Sequence, residues 1–248
     1  MDKETSVLRQ RLLVGCASWA IPRVDAPAFA AEGSALERYA SVFGAVEINS
    51  SFYRPHRRTS YERWAASVPA HFRFAVKLPK TITHEARLIA VDGLLDQFAQ
   101  EAGGLGEKLG CVLVQLPPSL ALHESSAAAL FAALAQRFGC LIACEARHES
   151  WFSPEATALM RQLQVTRVIA DPPKGQPGEH VPTTATIYAR LHGTPRVYYS
   201  SYEGDYLAQL GRDMATHARA GRTVWTIFDN TAAGAAVPNA LAALAAAR

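Results

Sequence analysis

The sequence predicts an α/β protein that folds as a single (β/α)₈ barrel. Two observations indicate this class: eight short apolar runs of strand length recur along the chain, and mostly helical segments separate them. Eight such units in 248 residues fit a closed parallel barrel better than a doubly wound sheet. An open α/β sheet is the structural alternative. No shift in composition marks a boundary, so residues 1–248 are expected to form one domain, with residues 1–11 as a polar N-terminal extension.

The first four strand–helix units are predicted from apolar runs and from residues that start or stop elements. Ser34 is a suitable N-cap for the first helix. The pair Pro117-Pro118 ends the fourth strand, because proline cannot donate to a strand ladder. The predicted order is strand 12–17, helix 34–42, strand 45–49, helix 60–67, strand 72–78, helix 91–108, strand 111–116 and helix 125–138.

The second half of the chain repeats this alternation with one exception. Pro154 suits the first turn of a helix after the fifth strand. The segment 172–182 is rich in Pro and Gly, so a loop is expected where the sixth helix would stand. The predicted order is strand 141–146, helix 154–163, strand 167–171, loop 172–182, strand 186–192, helix 206–218, strand 223–229 and an Ala-rich helix 233–247.

Composition limits the compartment and the partners. The net charge of +3 is mild and gives no argument for nucleic acid or an anionic membrane as a partner. The polar N-terminus is followed by an apolar run of only residues 12–14, which is neither a signal peptide nor a spanning helix. A cytoplasmic protein without membrane contact is therefore predicted, and the oligomeric state is left open.

The four cysteines are predicted to be buried free thiols. Cys16, Cys111 and Cys144 lie within apolar strand-like runs, and Cys140 lies just before one. No Cys-x-x-Cys pair is present, and the spacing matches no common zinc motif.

Polar residues stand at the carboxyl end of every predicted strand, which in a barrel forms the active face. Several of them are two residues apart and therefore share one face of their strand. A ligand-binding or catalytic site is one interpretation. The other is a network of mutual ion pairs, such as Glu145 with Arg147 or Arg190, that only closes the end of the barrel. The residues are Ser18-Trp19, Glu47, Asn49, Lys77, Gln115, Glu145, Arg147, Asp171, Arg190, His192 and Asp229-Asn230.

Loops at the same end add basic and aromatic side chains. Arg54, Arg57 and Arg58 surround His56 after the second strand, and Lys80, His84 and Arg87 follow the third. Such side chains, with Phe52, Tyr53 and Trp151, suit a phosphate or carboxylate and a stacked ring. The alternative is that they are solvated loop charges. No Gly-rich phosphate loop accompanies them.

A metal or cofactor is not predicted. Glu47, Glu145, Asp171 and His192 could converge as oxygen and imidazole ligands for a divalent ion. However, no His-x-x-x-His pair supports such a site, and nearby arginines would compete for the same carboxylates. A serine nucleophile has less support, because no Gly-x-Ser-x-Gly motif is present.

Motifs in order along nearly the whole chain resemble those of the YecE-like family, known as domain of unknown function 72. The resemblance implies a TIM-barrel fold and carries no established reaction with it. The matching motifs are Val46-Glu-Ile-Asn-Ser-Ser-Phe-Tyr-Arg54, Phe74-Ala-Val-Lys77 with Thr83-His84, Leu116-Pro-Pro118 after Gln115, Glu145-Ala-Arg-His-Glu-Ser-Trp-Phe152, Asp171-Pro172, Arg190-Leu-His-Gly193, and Asn230 with 234–239.

Two departures from this family pattern fall at the predicted site. The family's Gly-Thr-Ser-Gly-Trp-like turn is Gly15-Cys-Ala-Ser-Trp19 here, and its paired asparagines after the last strand are Asp229 and Asn230. Both changes could alter the ligand that this chain binds.

The leading hypothesis is an enzyme with hydrolase-, lyase- or isomerase-type acid–base chemistry on a small anionic substrate, such as a sugar phosphate or nucleotide-like molecule. Arg54, Arg147, Arg190 and Lys77 would hold the anion. The predicted acid–base residues are Glu47, Glu145, His192, His84 and Asp171. The other predicted ligand contacts are Trp19, Asn49, Phe52, Tyr53, Gln115, His148, Trp151 and Asn230.

Two other functions remain open. A nucleic-acid-binding or endonuclease-like barrel would use residues 54–58 on phosphates and Phe52, Tyr53 and Trp151 on bases. A non-catalytic barrel would bind a metabolite without converting it.

Overall fold

The chain folds as a mixed α/β structure with parallel sheets. The computed structural model describes residues 10–248, so most of the predicted extension 1–11 lies outside the described residues. Two sheets are present, with strand orders β1-β9-β8-β7 and β2-β3-β4-β5-β6, and every pairing is parallel. The strands are β1 (Leu12–Cys16), β2 (Ala45–Ile48), β3 (Arg73–Lys77), β4 (Leu109–Gln115), β5 (Leu141–Glu145), β6 (Thr166–Arg167), β7 (Ile169–Asp171), β8 (Ile187–Leu191) and β9 (Val224–Phe228).

The α-helices agree with the predicted segments, with shifts at their ends. The segment predicted as helix 91–108 is an α-helix only to Ala102 and then a 3₁₀ segment, in which Gly106 has a non-helical φ of 54°. Residues 172–186 contain neither helix nor strand, as the Pro- and Gly-rich composition predicts. The helices are α1 (Ala35–Ala40), α2 (Arg58–Ala66), α3 (Asp92–Ala102), α4 (Glu124–Arg137), α5 (Pro154–Gln162), α6 (Gly204–Arg219) and α7 (Ala236–Ala246).

The predicted sixth strand, 167–171, is divided into two. β6 pairs with β5 and β7 pairs with β8, so the chain passes from one sheet to the other at Val168. The Val168 N–H donates to Cys144 O at 3.0 Å, which keeps the backbone close to β5 at the break.

No strand ladder joins β1 to β2, so the strand order does not establish the predicted closed barrel. A side chain fills this position instead. The Tyr39 hydroxyl accepts the Cys16 N–H at 2.6 Å and donates to Ala45 O at 3.1 Å. It therefore satisfies one backbone group on each strand where a direct ladder bond would otherwise form.

Alternation along the strands separates two hydrophobic clusters. The larger cluster contains the strand faces that pack against the helices. The smaller one contains the opposite faces, including Ala45, Ala75, Ala143 and Tyr188. Two residues beyond these four, on the same faces, are Glu47, Lys77, Glu145 and Arg190. The periodicity of the strands thus carries charged side chains to one end of the smaller cluster.

The cysteines are free, as predicted. Cys16, Cys111 and Cys144 are buried, and Cys140 is half-buried. Burial raises the pKa of the Cys16 thiol to about 12, so this group is a neutral packing residue near neutral pH. Separately, none of the helices in residues 10–248 has the length and apolarity needed to cross a membrane.

Candidate functional site

Arg190 lies at the centre of a buried charge cluster at the carboxyl ends of the strands. Its side chain is 0% exposed and binds three carboxylates. Nη2 and Nε contact Glu47 Oε1 and Oε2 at 2.7 and 3.0 Å, Nη1 binds Glu145 Oε2, and Nη2 lies 3.0 Å from Asp229 Oδ2. The mutual ion pairs considered from the sequence are therefore present, and they stabilise groups that burial alone would penalise.

Both oxygens of Glu145 are occupied by arginines. Arg147 Nε and Nη2 bind Oε1 at 2.7 and 2.6 Å, while Arg190 binds Oε2. Burial alone would raise the pKa of Glu145, but Arg190, His192 and Arg147 bring it well below its usual range. A strongly acidic carboxyl whose two oxygens both accept from arginines is a poor general base, so Glu145 holds the arginines in place.

His192 is oriented by Asp229. Its Nδ1 lies 3.0 Å from Asp229 Oδ2, which assigns the Nδ1 hydrogen to that bond and leaves Nε2 as the atom that can exchange a proton. Burial lowers the pKa of His192, but its contacts with Asp229 and Glu145 outweigh burial and raise it. Nε2 is buried, has no hydrogen-bond partner and lies 3.4 Å from Glu145 Oε2.

Lys77 is buried without an anionic partner. The residue is 5% exposed, and its Nζ lies 4.1 Å from the centre of the Phe52 ring. Among residues 10–248, no hydrogen bond and no ion pair within 4.0 Å involves this ammonium group. Burial, followed by repulsion from Arg190, lowers the pKa of Lys77 to about 8, although Glu47, Asp229 and Glu145 favour the charged form.

A cavity of about 410 Å³ adjoins the cluster on the side of β1 and β2. Trp19, Glu47 and Asn49 are among its lining residues. Asn49 Nδ2 donates to Asp229 Oδ1 at 3.4 Å, while Asn49 Oδ1 is buried and has no hydrogen-bond partner. The site therefore combines a space for a small molecule with polar atoms that lack partners.

Phe52 and His84 cover the Lys77 side of the cluster. Their rings meet edge to face with centroids 4.9 Å apart. Burial, together with the charge of Lys77, lowers the pKa of His84, so this imidazole is largely neutral near neutral pH. Gln115 is also buried at this end, on the same face of its strand as Cys111 and Leu113.

Besides Tyr53 and Arg54, four predicted site residues lie outside the cluster. Asp171 faces the other side of its strand, where Tyr206 Oη donates to Oδ2 at 3.3 Å. Asn230 Nδ2 binds Ser200 O and Asn239 Oδ1, both at 2.9 Å. The other two are Trp151, which is 1% exposed and donates through Nε1 to Leu120 O, and His148, whose Nδ1 accepts the Ser150 N–H. These residues stabilise loops and core packing.

The aromatic and basic loop residues are dispersed. Tyr53 is 71% exposed, Arg54 is exposed, and Arg58 pairs with Glu62 on the surface of α2. Because Trp151 is buried, the three aromatics do not form a surface on which bases could stack.

From the sequence, Asp229 was placed at the end of the last strand but given no role, whereas Asn230 was predicted as a ligand contact. The pattern that assigns Asp229 to the cluster was available: residues 225, 227 and 229 share the face of β9 that belongs to the smaller cluster. Tyr188 was also missed, although its hydroxyl donates to Glu47 Oε2 at 3.2 Å. Tyr198 was missed too; its ring lies edge-on to His192 at 5.8 Å, and its φ of 71° is unusual for a bulky residue.

The carboxylates of the cluster are arranged around arginine. Glu47, Glu145 and Asp229 all direct oxygens at Arg190. Within the described chain, no group of three or more His, Cys, Asp or Glu side chains has the arrangement that holds a metal. The donor set thus fits an ion-pair cluster.

We expect the free energy of unfolding to fall as the pH is lowered below the ordinary carboxyl range of about 4. The pKa values of Glu145 and Asp229 are lowered in the folded protein, so acid protonates these groups first in the unfolded chain. Their stabilisation is full above the unfolded-state pKa and is lost as the pH falls through the folded-state pKa. Urea unfolding over a series of pH values measures how steeply the free energy of unfolding falls with pH. This fall should be shallower in Asp229→Asn, and an equally steep fall in the variant would contradict the prediction.

Residues 13–248 match a family model described as "Protein of unknown function DUF72". The UPF0759 protein YecE of Escherichia coli K12 is 33% identical over 144 residues, which are 56% of this chain and 52% of that protein. The UPF0759 protein YunF of Bacillus subtilis 168 is 30% identical over 149 residues, 58% of this chain and 53% of that protein. The chain thus spans about half the length of these curated relatives.

Two solved structures share the fold over nearly the whole chain. A DUF72 family protein from Enterococcus faecalis V583 superposes with a TM-score of 0.78 at 22% identity, covering 95% of each chain. A DUF72 family protein from Thermotoga maritima MSB8 superposes with a TM-score of 0.76 at 23% identity, covering 94% of this chain and 98% of that one. At this level of identity the similarity concerns the fold alone.

Proposed function

Since this chain belongs to the DUF72 family, whose description assigns no reaction, we propose from its own site that it is an enzyme with acid–base chemistry on a small anionic substrate. His192 is the proton-transfer residue. The observation that carries the proposal is the Asp229-oriented imidazole with a raised pKa and a buried Nε2 that has no hydrogen-bond partner. An imidazole that is held through one nitrogen and can exchange a proton at the other is suited to general acid–base catalysis.

Electrostatics favour an anion at this site. Three carboxylates, on Glu47, Glu145 and Asp229, are balanced by Arg147, Arg190 and Lys77. Protonation of His192 then leaves the cluster with net positive charge. Lys77 has no anionic partner, and Arg147 uses only Nε and Nη2 on Glu145. Because these cationic groups are largely removed from water, their attraction for a bound anion is stronger than on the surface.

The single-barrel prediction enters here as part of the proposal. The two sheets would form one (β/α)₈ barrel and one domain, with β6 and β7 as a single interrupted strand. Two observations support it: the chain is continuous through Val168, and the Tyr39 hydroxyl links β1 to β2. In such a barrel the cluster would occupy the carboxyl-terminal end, where barrel enzymes carry their active sites.

The proposed acid–base function can be tested by measuring whether hydrogen atoms of a substrate exchange with deuterium from the solvent. The protein is incubated in D₂O with small sugar phosphates, hydroxy acids and keto acids that raise its melting temperature, and ¹H NMR records exchange or conversion. We expect His192→Gln to slow the reaction by about 10²-fold or more while the fold is retained. His123→Gln is the matched control, because His123 is exposed and its Nδ1 contacts the hydroxyls of Ser125 and Ser126.

Two outcomes would reject this assignment. A compound that binds at the cluster but neither exchanges hydrogen nor is converted would identify a non-catalytic binding protein. A reaction that proceeds at the same rate in His192→Gln would show that another residue transfers the proton.

A further inference from the structure

Among the lysines whose side chains the structure describes, Lys77 is the one that is buried and makes no hydrogen bond or ion pair. Lys80 is partly exposed and pairs with Glu85 at 3.0 Å. Lys108 donates to the backbone oxygens of Ala65 and Val68. Lys77 is buried, yet no acceptor within residues 10–248 receives a hydrogen bond from its amine. Burying an ammonium group costs several kcal/mol unless it is paired, so this position makes the neutral amine more accessible than in an exposed lysine.

Lys77 belongs to the same charge cluster as Glu47, and Glu47 lines the cavity. Glu47 is opposite Ala75, and Lys77 follows Ala75 by two residues on the same face of β3. Phe52 covers the amine, with its ring centre 4.1 Å from Nζ. The amine therefore lies in the cluster that borders the cavity, under an aromatic cover.

The charged groups around Lys77 have opposite effects on its pKa. Burial and Arg190 lower the pKa of Lys77 to about 8, while nearby carboxylates act in the opposite direction. Relative to an ordinary lysine with a pKa of 10.5, the neutral fraction near neutral pH is larger by roughly two orders of magnitude. The charged or titratable groups that face it are Arg190, Glu47, Glu145, Asp229 and His84.

We infer that Lys77 is a nucleophile that forms an imine with the carbonyl carbon of a small anionic aldehyde or ketone. The inference rests on the proposed function and narrows its substrate class. The amine lies in the cluster that borders the cavity, has no hydrogen-bond or ion-pair partner, and shares the cluster with His192. Buried lysines of this kind are the ones that proteins use for Schiff-base chemistry. Arg147 would then hold the substrate anion.

The step balances without a redox partner. The neutral Nζ attacks the carbonyl carbon, and one proton moves from nitrogen to the former carbonyl oxygen, which gives a carbinolamine. The His192 imidazolium donates a proton to this hydroxyl, which leaves as water while the nitrogen lone pair forms the C=N bond. The products are an iminium ion on Lys77, one water molecule and neutral His192. The iminium withdraws electrons from the adjacent carbon, where proton removal or bond cleavage becomes easier.

The test traps this adduct by reduction. The protein is incubated with pyruvate, glyoxylate or dihydroxyacetone phosphate, sodium borohydride is added, and peptide mass spectrometry locates the secondary amine. We expect labelling at Lys77 to exceed labelling at Lys80, Lys108 and Lys174 by about tenfold or more, because its neutral fraction is larger. Neutral dihydroxyacetone is the control for the anion requirement. The carboxylate and phosphate probes separate the two anion classes.

Variants then separate a nucleophile from a merely cationic residue. Lys77→Arg keeps a positive charge and should still bind the anions in thermal-shift assays, but it cannot form the imine. We expect labelling at position 77 of this variant to fall to the level found in protein that was not incubated with a probe. Lys80→Arg is the matched control and should leave labelling at Lys77 unchanged. Far-UV circular dichroism and melting temperature verify that each variant is folded.

Each result has a defined meaning. Labelling of Lys77 no greater than that of Lys80 with all the probes overturns the imine inference, and so does full solvent-exchange activity in Lys77→Arg. If His192→Gln loses solvent exchange while Lys77 is not labelled, the proposed acid–base function stands alone. If Lys77 is labelled while His192→Gln keeps full activity, the carbonyl chemistry stands and the role of His192 is rejected.

Discussion

Replacing Arg190 with methionine is expected to lower the free energy of unfolding by about 3–5 kcal/mol. Methionine keeps an unbranched apolar stem but removes the cation that Glu47, Glu145 and Asp229 share. Because all three carboxylates are buried, their charges would lose their main compensation without gaining water. Urea or guanidinium unfolding at neutral pH, followed by circular dichroism, measures the change.

The pH dependence of the variant gives an internal control. Protonation of the carboxylates removes the unpaired charges, so the deficit of Arg190→Met should shrink as the pH is lowered through the carboxyl range of about 4. Arg58→Met is the matched surface control. Its ion pair with Glu62 is half exposed, and such pairs contribute about 0.5 kcal/mol or less. Equal losses in the two variants would contradict a dominant role for the buried cluster.

Replacing Gly15 with alanine is expected to destabilise the protein by about 3 kcal/mol, at the upper end of overpacking effects. A Cβ at this position would lie 1.9 Å from Ala45 O and 2.8 Å from Tyr39 Oη. The first contact is with the backbone of β2, which is held in place by its pairing with β3. The methyl group would therefore separate β1 from β2 and disturb the Tyr39 hydroxyl link between them.

Gly93→Ala is the matched control for this prediction. Gly93 lies in the first turn of α3, and an added Cβ would meet no atom within 4 Å. Alanine is the better helix former, so this variant should be neutral or more stable by up to about 1 kcal/mol. Thermal and urea unfolding compare the two variants. If Gly15→Ala were as stable as Gly93→Ala, the backbone of β2 could not lie as close to Gly15 as the structure has it.

Much of the site could be predicted because strand alternation is local. Glu47, Lys77, Gln115, Glu145 and Arg190 were recognised at strand ends from apolar runs and a two-residue period. The same period places Asp229, and not Asn230, on the inner face of β9, since Trp225 and Ile227 belong to the inner cluster. Stricter use of the two-residue period would therefore have assigned Asp229 to the cluster from the sequence.

The roles of the carboxylates could not be predicted, because they depend on partners distant in sequence. Arg190 binds residues separated from it by 143, 45 and 39 positions. From sequence alone, Glu145 is a reasonable general base. Once Arg147 and Arg190 occupy both of its oxygens, its pKa falls well below its usual range and this role is unsuitable. Conversely, the absence of a partner for Lys77 is visible only when all its neighbours are placed.

The sequence by itself determined the order of strands and helices, the end of the strands at which polar residues gather, and the resemblance to the DUF72 family. These properties follow from periodicity, caps and motifs, which act over a few residues. Only the tertiary structure decided which charges neutralise one another, that Trp151 is buried in the core, and that Lys77 Nζ and His192 Nε2 make no hydrogen bond. The physical reason is that burial and Coulomb interactions depend on distances across the sheets, which local sequence patterns do not specify.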